Sequence, residues 1–171
     1  MSFDEFLKSK QEEAQNKPAL NKEGRIEQFR TYVNDFYQKM ETEWLAGFYE
    51  QLNPSFEEIT IHEEALGDYK VNSLSLTIGN DKVLFKPIGT ILIGTPGRID
   101  MTCNARKGKF IMTGEKARTP QAHIRVSIAG EKIPKRDYGN LVWKFVDERG
   151  MMSYVDLNAN SMQKIIMNIV G

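Results

Sequence analysis

The feature that most constrains this chain is a change in hydrophobic spacing near residue 53. Between Ile26 and Leu52, apolar residues recur every three or four positions, which places them on one face of an α-helix. Asn53 and Pro54 end this pattern, because proline cannot continue a helix. Beyond them, apolar and polar residues alternate in the two-residue period of half-buried β-strands. The sequence therefore predicts a helical N-terminal segment followed by a sheet.

The N-terminal segment is predicted to contain two helices. The first covers residues 2–17 and ends at Pro18, because the residue before a proline is pushed out of helical geometry. The second is long and amphipathic, covers residues 25–52 and has Asn21 as its cap. We expect Trp44, in the middle of its apolar stripe, to anchor this helix against the sheet. The stripe consists of Ile26, Phe29, Val33, Phe36, Met40, Trp44, Phe48 and Leu52.

Residues 55–157 contain about nine short segments with strand spacing, separated by turns rich in glycine and proline. Two of these segments are residues 90–94 and 123–129. The connections are too short for crossover helices, so we predict an antiparallel meander. About nine strands are enough to form a strongly curved sheet or a small barrel. Residues 158–171 are predicted to form an amphipathic helix, capped by Asn158, that packs on the sheet.

The predicted fold class is α+β, in one domain over residues 1–171. A length of 171 residues, with 40% hydrophobic and 27% charged side chains, suits one packed domain. Its parts are a helical segment (1–52), an antiparallel sheet (55–157) and a closing helix (158–171). The first residues lack the pattern of a secretory signal, and no apolar run approaches the roughly 18–20 residues of a membrane span. We therefore expect a cytoplasmic protein that does not enter a membrane.

Charge is balanced overall but uneven along the chain. The 23 basic and 23 acidic residues cancel, which argues against a dedicated nucleic-acid-binding protein. Residues 101–150 nevertheless carry 11 basic and five acidic side chains, a net charge of +6. The basic loops at residues 106–136 are therefore candidates for binding an anionic partner. The candidate residues are Arg106, Lys107, Lys116, Arg118, Lys132, Lys135 and Arg136.

Residues for catalysis or metal binding are scarce. The only histidines are His62 and His123, and the only cysteine is Cys103. Cys103 shares strand parity with apolar neighbours, so we predict a buried, inert thiol and no intrachain disulfide. In the run from His62 to Glu64, successive side chains of a strand point to opposite faces, so the cluster is not a ligand set. We predict no catalytic residue, no metal site and no cofactor.

The segment from residue 89 to residue 100 is the most distinctive in the chain. Its glycines and Arg98 suggest a phosphate loop, but such a loop is followed by a helix, whereas strand patterns flank this one. We interpret it as a hairpin, with Arg98 and Asp100 side by side on a polar strand face. Together with His123 and Arg125, these two residues form a candidate ligand-binding set.

Three functional hypotheses follow. The absence of a recognisable catalytic set favours a binding or protein-interaction module without catalytic activity, whose partner is another protein or a second copy. The alternative is a small-ligand binder or enzyme that uses Arg98, Asp100, His123 and Arg125. The second alternative is an accessory protein that binds an anionic partner or nucleic acid through the basic loops at 106–136, although the neutral total charge makes nucleic acid an unfavoured partner.

Overall fold

The computed structural model describes residues 2–16, 22–90, 95–120 and 139–171. In these ranges the chain forms three α-helices and one antiparallel sheet of seven strands. The helices are α1 (Phe3–Asn16), α2 (Lys22–Lys39) and α3 (Ala159–Val170). Of the described helices, none has both the length and the apolar character that crossing a membrane requires.

The strands lie side by side in the order in which they occur along the chain. Each strand pairs antiparallel with the next, as short connections require. The two edge strands, β1 and β7, are not paired with each other, so the sheet is open. The strands are β1 (Ser55–Glu63), β2 (Gly67–Ile78), β3 (Asp81–Gly89), β4 (Arg98–Cys103), β5 (Arg106–Gly114), β6 (Leu141–Asp147) and β7 (Ser153–Asp156).

The α+β class and the antiparallel sheet are confirmed, whereas the predictions of about nine strands and of a barrel are wrong. Seven of the predicted strands are present. Residues 91–94 and 123–129, where the other two were predicted, lie outside the described residues. The β5 strand pairs directly with β6, so no further strand lies between them. The sheet does not close into a barrel, because no hydrogen-bonded pairing joins β1 to β7.

The prediction of one helix over residues 25–52 is also wrong. The α-helix ends at Lys39 and continues as a π turn, Met40–Trp44, in which Leu45 N–H donates to Met40 O. A π turn holds one extra residue, so Trp44 and Leu45 both face the core, whereas Phe48 turns outward and is 53% exposed. A short 3₁₀ helix, Tyr49–Leu52, then leads to β1.

Helix α2 lies across one face of the sheet through Phe36, which is fully buried. The Phe36 ring centroid is 5.0 Å from that of Phe110, 5.5 Å from Trp143 and 6.0 Å from Phe85. It is also 5.2 Å from the ring of Trp44. Aromatic pairs at these separations add to the stability gained by burying the rings. One side chain thus joins α2 to β3, β5 and β6.

Helix α3 packs beside the π turn and against β4 and β5. Its predicted cap is confirmed, because Asn158 accepts from Ser161 N–H while the Ser161 hydroxyl accepts from Asn158 N–H. The Gln163 amide donates to Trp44 O at 3.2 Å. Trp44 is therefore buried between the Phe36 ring of α2 and α3.

We predict that Trp44→Ala lowers the free energy of unfolding by about 3–5 kcal/mol, the usual cost of truncating a buried tryptophan. Phe48→Ala is the matched control, because Phe48 belongs to the same apolar stripe in the sequence but is exposed. Its effect should stay within about 0.5 kcal/mol. Urea denaturation of both variants measures the difference, and equal losses would show that the helix continues through residue 48.

Candidate functional site

The predicted pair Arg98 and Asp100 lies on β4, on the sheet face opposite α2. The Arg98 guanidinium donates to both Asp100 carboxylate oxygens, at 2.6 and 3.0 Å. Lys86 and Lys109 flank Asp100 on the neighbouring strands. The predicted placement side by side is therefore confirmed, but the two charges satisfy each other.

The other two members of that candidate set, His123 and Arg125, lie outside the described residues. A ligand site at this position stays a prediction.

The described basic residues of the second candidate set lie at two ends of β5. Arg106 and Lys107 begin this strand, whereas Lys116 and Arg118 follow its last residue. A nine-residue strand is about 30 Å long, so the two pairs do not form one surface. Arg106 donates to Asn168 O near the end of α3, where cations stabilise a helix. The remaining members, Lys132, Lys135 and Arg136, lie outside the described residues.

Cys103 and His62 have the positions that strand parity predicts. Cys103 is buried on the α2 side of β4, so the predicted burial of its thiol is confirmed. His62 is exposed, and its Nδ1 lies 2.5 Å from an Asp68 oxygen. Among the described residues, no group of three or more histidine, cysteine or acidic side chains is placed to hold a metal ion.

A buried lysine that the sequence analysis missed lies on β6. The Lys144 side chain is 1% exposed, and its Nζ donates to Glu115 O and Ala117 O, each at 2.7 Å. Its third acceptor is the Asp156 carboxylate, at 2.9 Å. An ammonium group has three protons to donate, and all three are used. Lys144 therefore fastens the segment after β5 to β7 and has no proton left for a ligand.

Asp156 is held by two cations. The hydrogen bond from Lys144 is the main reason why its pKa lies below the ordinary value, and the charges of Lys144 and Arg118 act in the same direction. A group whose pKa is lowered by folding stabilises the fold above its unfolded pKa, which is about 3.9 for aspartate. That contribution is lost as pH falls through the folded value.

We predict that Asp156→Asn lowers the free energy of unfolding at pH 7 and removes part of its decline below about pH 4. Asp147→Asn is the comparison: hydrogen bonds from Arg149 also lower the pKa of Asp147, but solvent screens a pair whose cation is exposed, so its effect should be smaller than that of Asp156→Asn. Urea denaturation between pH 7 and pH 2.5 measures both variants. A pH profile of Asp156→Asn parallel to that of the wild type would contradict the role assigned to this carboxylate.

The outer edge of β1 presents backbone groups that no described residue pairs. The Ser73 hydroxyl donates to Glu57 O at 3.2 Å. The Ser75 hydroxyl likewise donates to Ser55 O at 3.4 Å. The carbonyls of these odd-numbered residues therefore face β2, and the alternation of an antiparallel ladder turns the even-numbered residues outward. We call the outward N–H and C=O groups the β1 edge; they belong to Phe56, Glu58, Thr60 and His62.

A pocket of about 230 Å³ opens between α2 and the start of β1. Tyr37 and Asn72 both line it, and the Tyr37 hydroxyl donates to Asn72 O at 2.7 Å. Burial raises the pKa of Tyr37. The Phe56 ring, 5.5 Å from that of Tyr37 and 53% exposed, forms the wall nearest the β1 edge. We call this space the β1 pocket; its lining residues are Asn34, Tyr37, Gln38, Glu41, Phe56 and Asn72.

The far end of β1 is held to β3 by the Glu63 carboxylate. It accepts a hydrogen bond from Thr90 N–H at 2.8 Å and one from the Tyr69 hydroxyl at 2.5 Å. Burial and this hydrogen bond raise the pKa of Tyr69. The β1–β2 hairpin is therefore anchored at this end, which keeps the β1 edge in a defined position.

The sequence around this edge is acidic throughout. Residues 40–69 contain eight acidic side chains and neither lysine nor arginine. This signal was present in the sequence, but the segment became a candidate site only when the structure placed β1 at the edge of the sheet. The pocket could not be predicted, because it joins residues of α2 to strands further along the chain.

Comparison with models of known protein families, with curated proteins and with solved structures finds no match to this chain.

Proposed function

We propose that this chain is a protein-binding module without catalytic activity, which binds an extended segment of its partner along β1. The observation that carries the proposal is the β1 edge. There, four residues at every second position of the strand present backbone groups without a described partner. An added strand satisfies such groups in the way that peptides extend the sheets of other binding domains.

The size of the edge suits this mode of binding. β1 has nine residues, and four of them offer one N–H and one C=O group each. A backbone hydrogen bond contributes about 0.5–1.5 kcal/mol net, so several formed together supply a useful binding free energy. The side chains of all four residues are exposed, so a partner strand meets no steric obstacle from buried groups.

The opposite edge of the sheet is less suited to binding. β7 has only four residues, Ser153–Asp156. Tyr154 N–H donates to Arg118 O at 2.8 Å, and the Asp156 carboxylate is held by Lys144 and Arg118. The segment after β5 therefore covers part of this edge, which leaves β1 as the better binding strand.

We predict that Thr60→Pro weakens binding of a partner segment at least about tenfold, the equivalent of 1.4 kcal/mol. Thr60 N–H points away from β2, so proline at this position removes one outward N–H group and no hydrogen bond to β2. Edge strands tolerate proline at such positions. Thr60→Ala is the control, because it removes the same side chain and keeps the N–H group. The probe is a nonapeptide selected from a displayed random library and then synthesised; its affinity is measured by NMR titration.

The titration also reports where the peptide binds. Shifts of the backbone amides of Glu58, Thr60 and His62 are expected on binding. Equal affinity of the proline and alanine variants would contradict the proposal. So would a library that yields no peptide able to shift these amides. Circular dichroism checks that Thr60→Pro remains folded, and Leu76→Pro, which removes an N–H group that faces β3 in the β2–β3 ladder, should unfold by contrast.

A further inference from the structure

Resting on the proposed function, the geometry points to a partner segment that is basic. One lysine or arginine side chain of this segment enters the β1 pocket. The chemistry of the lining carries this assignment. Asn34, Gln38 and Glu41 are among the lining residues, and their side chains carry two amide oxygens and a carboxylate. These groups accept hydrogen bonds from an ammonium or guanidinium group.

The aromatic wall fits the same kind of side chain. Phe56 lines the pocket and about half of its surface is exposed. Lysine and arginine pack their aliphatic stems on apolar surface while their charged ends reach polar groups. A cation near the face of an aromatic ring is also attracted by the ring electrons. A small apolar side chain would leave the carboxylate and amides of the pocket without a partner.

Strand geometry places a partner side chain at the mouth of the pocket. A strand added to β1 lies about 4.8 Å beyond it. Side chains of paired residues project from the same face of a sheet, so the partner residue opposite Phe56 projects toward α2. The pocket lies between Phe56 and α2, within reach of a long side chain at that position.

Charge distinguishes among the possible occupants. Five acidic residues of the segment 40–69, which contains β1, have no ion pair with a described cation, so this segment carries a net negative charge; they are Glu41, Glu43, Glu50, Glu57 and Glu64. This charge attracts a basic segment and repels an acidic one. A second copy paired through β1 would bring two such acidic strands together, and like charges across a strand pair are destabilising.

The test uses three synthetic nonapeptides and two variants of the full chain. The first peptide is Lys-Val-Thr-Val-Lys-Val-Thr-Val-Lys, and the other two carry glutamine or glutamate in place of lysine. We expect the lysine peptide to bind more tightly than the glutamine peptide, and the glutamate peptide to bind most weakly. Binding is followed by NMR shifts of the β1 amides. The advantage of lysine should shrink as salt is raised from 20 to 300 mM, because salt screens exposed charges.

Glu41→Gln and Glu43→Gln form a matched pair. Each removes one negative charge from the π turn, but only Glu41 lines the pocket. We expect Glu41→Gln to lower the affinity for the lysine peptide about two- to fivefold more than Glu43→Gln does. This is the range for the loss of one exposed ion pair. Affinity for the glutamine peptide should be the same in both variants.

The outcomes separate this inference from the proposed function. If the lysine and glutamine peptides shift the β1 amides with equal affinity, or if the two variants behave alike, the basic-pocket assignment is wrong and the binding module stands. If no peptide shifts the β1 amides, the proposed function itself is wrong. If sedimentation shows a dimer in which these amides are protected, the occupant is a second copy and the assignment is overturned.

Discussion

The burial of Phe36 against four aromatic rings is the interaction on which the described fold depends most. Those rings come from the π turn and from three separate strands. Burying large aromatic side chains contributes strongly to stability. The burial of Phe36 therefore fixes where α2 lies on the sheet and how closely it packs against it. The placement of the neighbouring side chains of α2 follows from it.

Two of those side chains connect α2 to the part of β2 that β3 does not reach. β3 pairs with β2 only from Leu74 onward. Before that point, Arg30 Nε donates to Lys70 O at 2.8 Å and the Tyr37 hydroxyl donates to Asn72 O. Helix α2 thus satisfies carbonyl groups of β2 that would otherwise lack partners. It covers β2 in this way but leaves β1 at the edge, with the β1 pocket between them.

Local patterns predicted much of this fold. The alternation of apolar and polar residues marked seven strands, and strand parity placed Arg98 beside Asp100 and buried Cys103. The end of α2 could not be predicted, because the π turn is stabilised by the burial of Trp44 and Leu45 in a core that consists of residues from distant strands. Lys144 was missed because a lysine is normally solvated, and its three acceptors lie in other segments. The assignment of the whole chain to one domain stays a prediction.

Amide hydrogen exchange of the free protein tests most directly whether β1 offers an unpaired edge. We predict an alternation along the strand, with Glu57, Ile59 and Ile61 protected by β2 and with Glu58, Thr60 and His62 exchanging much faster. Equal protection of the two sets would show that another segment or a second copy already pairs with β1, and would contradict the account.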